Sequence, residues 1–565
     1  MKLKNILGIV IVTAGMLAVT SCTDYDDYNK VPTDVNASAE HTLWENISQN
    51  SSLSDFANII KYVGFDDELQ QSHFYTVWAP LNGTYDAQSL LNQDKETVLY
   101  RFVKSHIAEY NHNVSGGVDE RIHALNDKSF SFIGSGEYTY ADVSVNQLNL
   151  PSVNGVIHTL KGAAAFLPNI YEYIYQAEDA DSLQDYFKHY EQVYLDEANS
   201  VVGPTVNGKQ TYIDSVMITT NLLYRTLNAS IAHEDSSYTM LIPTDEAWKK
   251  SYERIKPYFN YITTTIAQDM DAATSTTNIP TTTVSIDNVY QADSLTKRAI
   301  VNNLIFNNNS YYNRWVEDEN EVYTDTLLST TQSKLSNPLE ILDQTIDKVK
   351  MSNGYSRIVD SLAMHSWESW APSLSFSPIR YGISWTGTNH NIILNILNSS
   401  ESEKETISYL WVEPSSTYSK PELDVKLPNV LSTTYNIYCV IVPPYDKENV
   451  STSDFRPNQL DFDLSYCDAN GKLATTLSGS GRTAVHLASK LENDPTRIDT
   501  MFVGTFTFPV AYRGLGEKIY PNLKITTDFN VFDRVAMEQY TRDLRIASII
   551  LRPVEQDEFE ATKEN

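Results

Sequence analysis

Cysteine is scarce in this chain. Only Cys22, Cys439 and Cys467 occur in 565 residues, and no two of them form a C-x-x-C pair. A disulfide-stapled scaffold is thereby excluded, and no zinc-site pattern remains. Positive charge is also in deficit, with 42 Lys and Arg against 72 Asp and Glu and a formal net charge of −30. So acidic a surface repels phosphate backbones, which excludes DNA and RNA as partners. Beyond the extreme N-terminus no apolar run is long enough to span a bilayer. G-x-S-x-G, H-E-x-x-H and phosphate-binding glycine loops are all missing. Carboxylates are plentiful, but a pair drawn without geometry is noise. No catalytic residue, cofactor site or metal site is assigned, and the chain is expected not to be an enzyme.

What is present is enough hydrophobic sequence for several domains: 41% hydrophobic and 20% charged residues over a length too great for one core. Tyr is abundant, 36 against 8 Trp, and its rigid amphipathic ring suits half-exposed strands and contact surfaces. The N-terminus, "MKLKNILGIVIVTAGMLAVTSC", has two lysines, a short apolar run and then small residues. That order reads as a secretory signal over residues 1–21. Val19-Thr20-Ser21-Cys22 resembles the lipobox of bacterial lipoproteins, which implies a lipid on Cys22. Residues 22–38, acidic and Pro-containing, read as a flexible tether and resemble a surface-export signal. Together these imply an outer-membrane protein held by an N-terminal lipid anchor and facing the cell exterior.

One phrase occurs twice. "FYTVWAPLNGTY" begins at Phe74 and "SYTMLIPTDEAW" at Ser237. Aromatic and β-branched residues predict a strand in each, and Pro80 or Pro243 ends the ladder because proline donates no backbone hydrogen bond. The polar residues that follow predict a helix beginning near Asn82 or Thr244. In the second copy Trp248, Tyr252, Ile255 and Phe259 recur at helical spacing.

The first phrase resembles the opening segment of fasciclin (FAS1) domains, and further landmarks follow in order. "LSDFANIIKYVGF" precedes it, with Leu53, Phe56, Ile60 and Val63 on one helical face. "VLYRFVKSHIAEYN" is similar to the family's central segment and places His106 at its characteristic histidine. "VNQLNLPSVNGVIHTL" is similar to the closing segment, with Asn154, Gly155 and His158. Both histidines sit on apolar strand- or helix-like segments, where a hydrogen-bonded core role is expected ahead of a ligand role. A second, divergent copy carries Asn353-Gly354 but Arg357 in place of the closing histidine, and its central segment "AIVNNLIFNNNS" lacks the other. The resemblance implies two α+β fasciclin-like domains, at 39–173 and 174–372. The second is interrupted at about 263–297 by a Thr-rich insertion expected to be a loop.

From 373 to 565 the pattern is strand-like throughout, with Asp468-Ala469-Asn470-Gly471 as a hairpin signal. An all-β sandwich or jelly roll is expected, ending in a frayed acidic tail. Two packed sheets are needed to cover apolar side chains such as Val440 and Phe502. Whether Cys439 and Cys467 pair is left open. Trp385, Trp411, Tyr445 and Tyr512 are the candidate ligand contacts, and at least two should share an exposed face. Trp367 and Trp370 are expected to pack at a domain junction instead.

Three functions fit these features. The first is a surface lipoprotein for adhesion or for binding extracellular protein or polysaccharide. The others are an accessory subunit of an outer-membrane glycan-uptake complex and, with less support, a glycan-active enzyme.

Overall fold

The computed structural model describes residues 40–563 apart from 199, 206–207, 270–271, 273–279, 319, 378–384, 389, 399–405, 444–454, 475–484 and 517–518. Cys22, the leader, the tether and Tyr445 therefore lie outside the described residues. The chain divides into two compact units. One runs to Gln176 and includes Ser230–Ser237 and Val349–Tyr355; the other comprises Ala177–Ala229, Tyr238–Lys348 and Ser356–Asn565.

Both repeated phrases are strands, Tyr75–Pro80 and Tyr238–Pro243, each buried along its whole length. A strand covered on both faces reads as a continuous apolar run, which is why each phrase has little polar alternation. In the first copy the phrase pairs in parallel with Gly155–Leu160, Tyr75 opposite Gly155 through Pro80 opposite Leu160, and antiparallel with Ile107–Glu109. Val77 and Ala79 point to a core shared with Phe56, Ile59, Ile60 and Val103. Trp78, on the opposite face, packs with Phe132, Tyr140 and Leu160. The sheet order is Ile107–Glu109, Tyr75–Pro80, Gly155–Leu160, Val143–Ser152, followed by three more strands between 118 and 140. In the second copy the order is Ile305–Asn307, Tyr238–Pro243, Gly354–Val359, Thr345–Met351. The four-strand pattern is the same.

Helix placement differs from expectation in one copy. Thr244 caps Asp245–Ile255 by accepting from the Ala247 N–H, as its position predicts. In the first copy the helix begins only at Ala87, capped by Asp86. Asn82 is occupied elsewhere: its side chain accepts from the Asp55 N–H (2.9 Å) and donates to the Ser51 carbonyl (2.8 Å), holding the start of helix Ser54–Val63. Asp245 does the same for helix Asp181–His189, accepting from the Ser182 N–H at 2.8 Å and the Asp181 N–H at 3.2 Å.

The Thr-rich segment is not a featureless loop. Thr264–Gln268 and Thr281–Ser285 form an antiparallel hairpin, followed by helix Asn288–Val301. β-Branched threonine favours a pleated strand, so the composition that suggested a loop serves a ribbon. A second ribbon, Glu191–Leu195 with Met217–Asn221, was not anticipated.

Among the described residues the C-terminal region forms two six-stranded sheets with antiparallel pairings. One runs His390–Asn398, Thr406–Pro414, Leu544–Pro553, Thr434–Ile441, Asp499–Thr507; the other runs Trp385–Thr388, Glu422–Lys426, Asn522–Thr527, Gln459–Cys467, Leu473–Ala474. Alternate residues such as Leu460, Phe462 and Leu464 are fully buried. Val440 is buried too, but Phe502 is half exposed, against the expectation that both are covered. Asp468 caps the predicted hairpin, accepting from the Asn470 and Lys472 N–H groups. Cys439 and Cys467 are free thiols in buried positions. The acidic tail is a helix, Val554–Lys563, and is docked: Tyr258 donates to Glu555 (2.6 Å), and Tyr438 donates to Asp557 (2.8 Å).

Candidate functional site

The residues flagged by family resemblance organise the fold. Asn154 accepts from the Leu43 N–H (2.8 Å), at the start of the helix capped by Thr42, and donates to the Leu69 and Gln71 carbonyls (2.9 and 2.7 Å). Asn353 repeats this clamp: it accepts from the Ile170 N–H (2.9 Å), at the start of the helix capped by Asn169, and donates to the Ile231 and His233 carbonyls (2.7 and 3.1 Å). The glycine that follows is required in the first copy. Gly155 has φ +155°, and a Cβ there would stand 2.0 Å from the Tyr75 carbonyl oxygen. Gly354 has φ +137°.

Both histidines are neutral pins with opposite tautomers. His106 donates from Nδ1 to the Phe102 carbonyl (2.7 Å) and accepts at Nε2 from the Ala164 N–H (2.9 Å). His158 donates from Nε2 to the His112 carbonyl (3.0 Å) and accepts at Nδ1 from the Asn149 N–H (3.3 Å). Burial pushes each down to about 4, against the opposing pull of the carbonyl it faces. Fully partnered and enclosed, neither ring is placed to meet a ligand.

Of the four aromatic candidates, only Trp411 and Tyr512 have described side chains, and they are not exposed together. Tyr512 is buried, its hydroxyl accepting from the Cys467 N–H at 2.6 Å, so it is a core residue. Trp411 is half-buried beneath the Arg545 guanidinium, 4.8 Å from its ring centroid. Trp385 lies on a strand paired with Glu422–Lys426, with its side chain outside the described residues, as is all of Tyr445. Trp370 is buried and carries the Arg254 guanidinium at 4.9 Å. Trp367 borders a cavity of about 550 Å³ beside the C-terminal helix. One of its faces is already stacked on His365 (4.4 Å, 7°), and Phe559 stands 5.1 Å away.

Charged groups that the sequence did not single out line up across the second C-terminal sheet. Asp424, Lys524, Asp463 and His486 follow one another strand by strand. Burial raises the Asp424 carboxyl to about 6, and the Asp463 carboxyl is 2.5 Å from His486. No group of three potential metal ligands occurs among the described residues.

A different cleft, of about 380 Å³, lies in the helical layer of the second copy. Helix Asp181–His189 contributes Ser182, Asp185, Tyr186 and His189; helix Asn288–Val301 contributes Tyr290, Asp293, Ser294 and Lys297. Each set is spaced i, i+3, i+4, i+7, so each is a single helical stripe. Trp248, from helix Asp245–Ile255, closes the floor with its ring centroid 6.0 Å from that of Tyr186. Tyr190 meets Tyr186 at 5.2 Å. Asp293 accepts from the Tyr252 hydroxyl (2.9 Å) and pairs with Lys297 (2.9 Å). Sequence reasoning passed over these stripes because aromatic and charged residues at helical spacing ordinarily form a solvated face. The usable signal was two identical spacings within one copy.

Comparison with known proteins bears on the first copy. Residues 51–163 match the family model described as Fasciclin domain. Among solved structures, a FAS1 domain pair from the insect cell adhesion molecule fasciclin I is similar at 12% identity, over 57% of this chain and 99% of that one, with a TM-score of 0.21. A carbohydrate esterase from the Shiga toxin-encoding bacteriophage phi24B is similar at 12% identity, over 32% of this chain and 97% of that one, with a TM-score of 0.18. The carbohydrate-binding module CBM28, specific for non-crystalline cellulose, is similar at 9% identity, over 28% and 77%, with a TM-score of 0.13. No curated protein matches the chain. Among the described residues no helix is long and apolar enough to cross a membrane.

Proposed function

From a chain that carries a fasciclin domain at residues 51–163, we propose a surface lipoprotein for adhesion, binding extracellular protein or polysaccharide. Both copies of the repeat are fasciclin domains on this reading, serving as a scaffold. The two C-terminal sheets are the layers of a β-sandwich attached to it. A lipid on Cys22 holds the protein in the outer membrane, facing outward. The protein makes no covalent chemistry, needs no cofactor and does not bind nucleic acid.

The observation that carries the adhesive reading is the fasciclin domain itself, an adhesion-type module. It is supported by a second copy with the same sheet order and asparagine clamp. The anchor rests on the Val-Thr-Ser-Cys sequence after a basic start and an apolar run. Cells expressing the Cys22→Ala chain test it: the variant should leave the membrane fraction, since without acyl chains nothing is buried in the bilayer. Retention equal to the wild type would refute the anchor. Adhesion is tested by coating the chain on a surface and measuring capture of extracellular proteins and polysaccharides. A second reading, an accessory subunit of a glycan-uptake complex, would show instead as co-purification with an outer-membrane transporter.

A further inference from the structure

The cleft in the second copy combines an enclosed floor with an exposed, polar mouth. Its floor is aromatic: Tyr186 and Trp248 are nearly enclosed, and Tyr190 is half-buried beside them. Its mouth carries Tyr290, a large ring left 65% exposed, together with Asp185 and the Asp293–Lys297 pair. The corresponding helix of the first copy differs at the floor positions. The hydrogen bonds that Asn82 and Asp245 make to the preceding helix align Asp55 with Ser182, so Ile59 stands where Tyr186 does and Val63 where Tyr190 does. Ile59 is wholly buried in an apolar core. The second copy thus exchanges two aliphatics of this helix for tyrosines at the same positions.

The chemistry of the lining selects among ligands. Two carboxylates at the mouth and a net charge of −30 disfavour an anion such as a phosphate or a nucleotide. A simple cation is disfavoured because Asp293 is already neutralised by Lys297 at 2.9 Å. The remaining mixture has acceptors in Asp185, donors in Lys297, hydroxyls of both kinds in Ser182 and Ser294, and ring faces beneath. A sugar ring presents the complement: an apolar C–H face for stacking and an edge of hydroxyls that both donate and accept. The volume of about 380 Å³ falls at the lower end of small-ligand sites, enough for one or two pyranose rings.

We propose that the cleft bounded by Tyr186, Trp248, Tyr290 and Asp185 is a binding site for a neutral oligosaccharide. This deepens the polysaccharide half of the adhesive reading and rests on it. The ring of Tyr290 closes over the sugar, Trp248 and Tyr186 support its apolar face, and Asp185 and Lys297 hold its hydroxyls.

The test uses the full chain purified in detergent, titrated calorimetrically with cellohexaose, xylohexaose, mannohexaose and laminarihexaose. At least one should bind, and Tyr290→Ala and Asp185→Ala should each weaken that binding ten-fold or more. Both side chains are exposed, so folding should be unaffected, which circular dichroism checks. Tyr311→Ala, an exposed tyrosine of the same copy outside the cleft, should leave the affinity unchanged. If a sugar binds but Tyr290→Ala and Asp185→Ala bind it as tightly, the cleft is not the site while the polysaccharide reading survives. If none of the four sugars binds the wild type, the cleft inference and the polysaccharide half fall together, leaving protein ligands alone.

Discussion

The two copies use different chemistry to hold the same loop. In the first, Thr76 donates to the Tyr110 carbonyl (2.8 Å) and His158 donates to that of His112, tying the segment after Ile107–Glu109 to the central strands. In the second, Thr239 reaches Asn308 (2.8 Å) and Glu317 (3.0 Å), and Arg357, at the position of His158, binds Glu317 at 3.0 Å. A buried neutral ring has been exchanged for an enclosed ion pair. The other histidine is exchanged outright. Strand register places Ile107 with Ile305, so Leu304 occupies the place of His106, and both are buried. Retained in both copies are the asparagine clamp and the cap that follows the proline. The frame is therefore specified by backbone groups that must be satisfied wherever they are buried. The histidines are one solution to a packing problem with several.

The largest test of that view removes the clamps. Asn154→Ala strands the Leu43 N–H and the Leu69 and Gln71 carbonyls; Asn353→Ala strands the Ile170 N–H and the Ile231 and His233 carbonyls. Each variant should lose roughly 3 kcal/mol or more, since every unsatisfied buried group costs about 1–3 kcal/mol. Urea denaturation should show losses of similar size. A silent variant in either copy would show that its clamp is not equivalent.

Acid should then separate the copies. A histidine free in the unfolded chain takes a proton near pH 6.5, whereas folded His106 and His158 take one only near 4. Their contribution is fully present above about pH 6.5 and is lost as pH falls toward 4, up to roughly 3 kcal/mol for each. Exchange protection of amides in Tyr75–Pro80 should drop across this window, while that in Tyr238–Pro243 should respond less. His106→Leu, borrowing the residue of the second copy, should remove about half of the acid slope. An unchanged slope in that variant would assign the sensitivity elsewhere.

The smallest effect concerns the caps. Asn82→Ala and Asp245→Ala should each cost about 1 kcal/mol, the ordinary value of a lost N-terminal cap. Asp245→Asn should cost only a few tenths of that in melting experiments, because an amide oxygen accepts the same Ser182 N–H, whereas Asn82→Asp should cost more, because a carboxylate cannot donate to the Ser51 carbonyl. A large penalty for Asp245→Asn would mean that the two corners differ in more than residue type.

These contrasts also show where sequence reading stops. The phrase strands, the turn at Asp468–Gly471 and the late strands after Asn154 and Asn353 were legible, because local propensity and periodicity fix them. The work done by Asn154 was not: its partners at Leu43 and Leu69 are 111 and 85 residues away, and such bonds leave no local pattern. Asn82 misled for a related reason, since a polar residue after a proline reads as the cap of the next helix when it serves the previous one. Tyr512 misled because a turn-like neighbourhood suggested exposure, whereas its hydroxyl is consumed by the Cys467 backbone. The cleft went unread because its two stripes are far apart in sequence and only helix packing brings them together.

The strand Leu544–Pro553 has a bearing on how the protein is made. It lies inside its sheet, between Thr406–Pro414 and Thr434–Ile441, and also receives Leu374–Phe376. Its partners are synthesised more than a hundred residues earlier and must wait with open edges until Leu544–Pro553 arrives. Such long-range closure is slow and exposes unpaired strands in the interval. If the chain is exported as proposed, the delay is useful, because a region that cannot close before this strand emerges stays threadable during export. It also means that a ribosome stalling before Leu544 would release not a shortened sheet but an open, association-prone one.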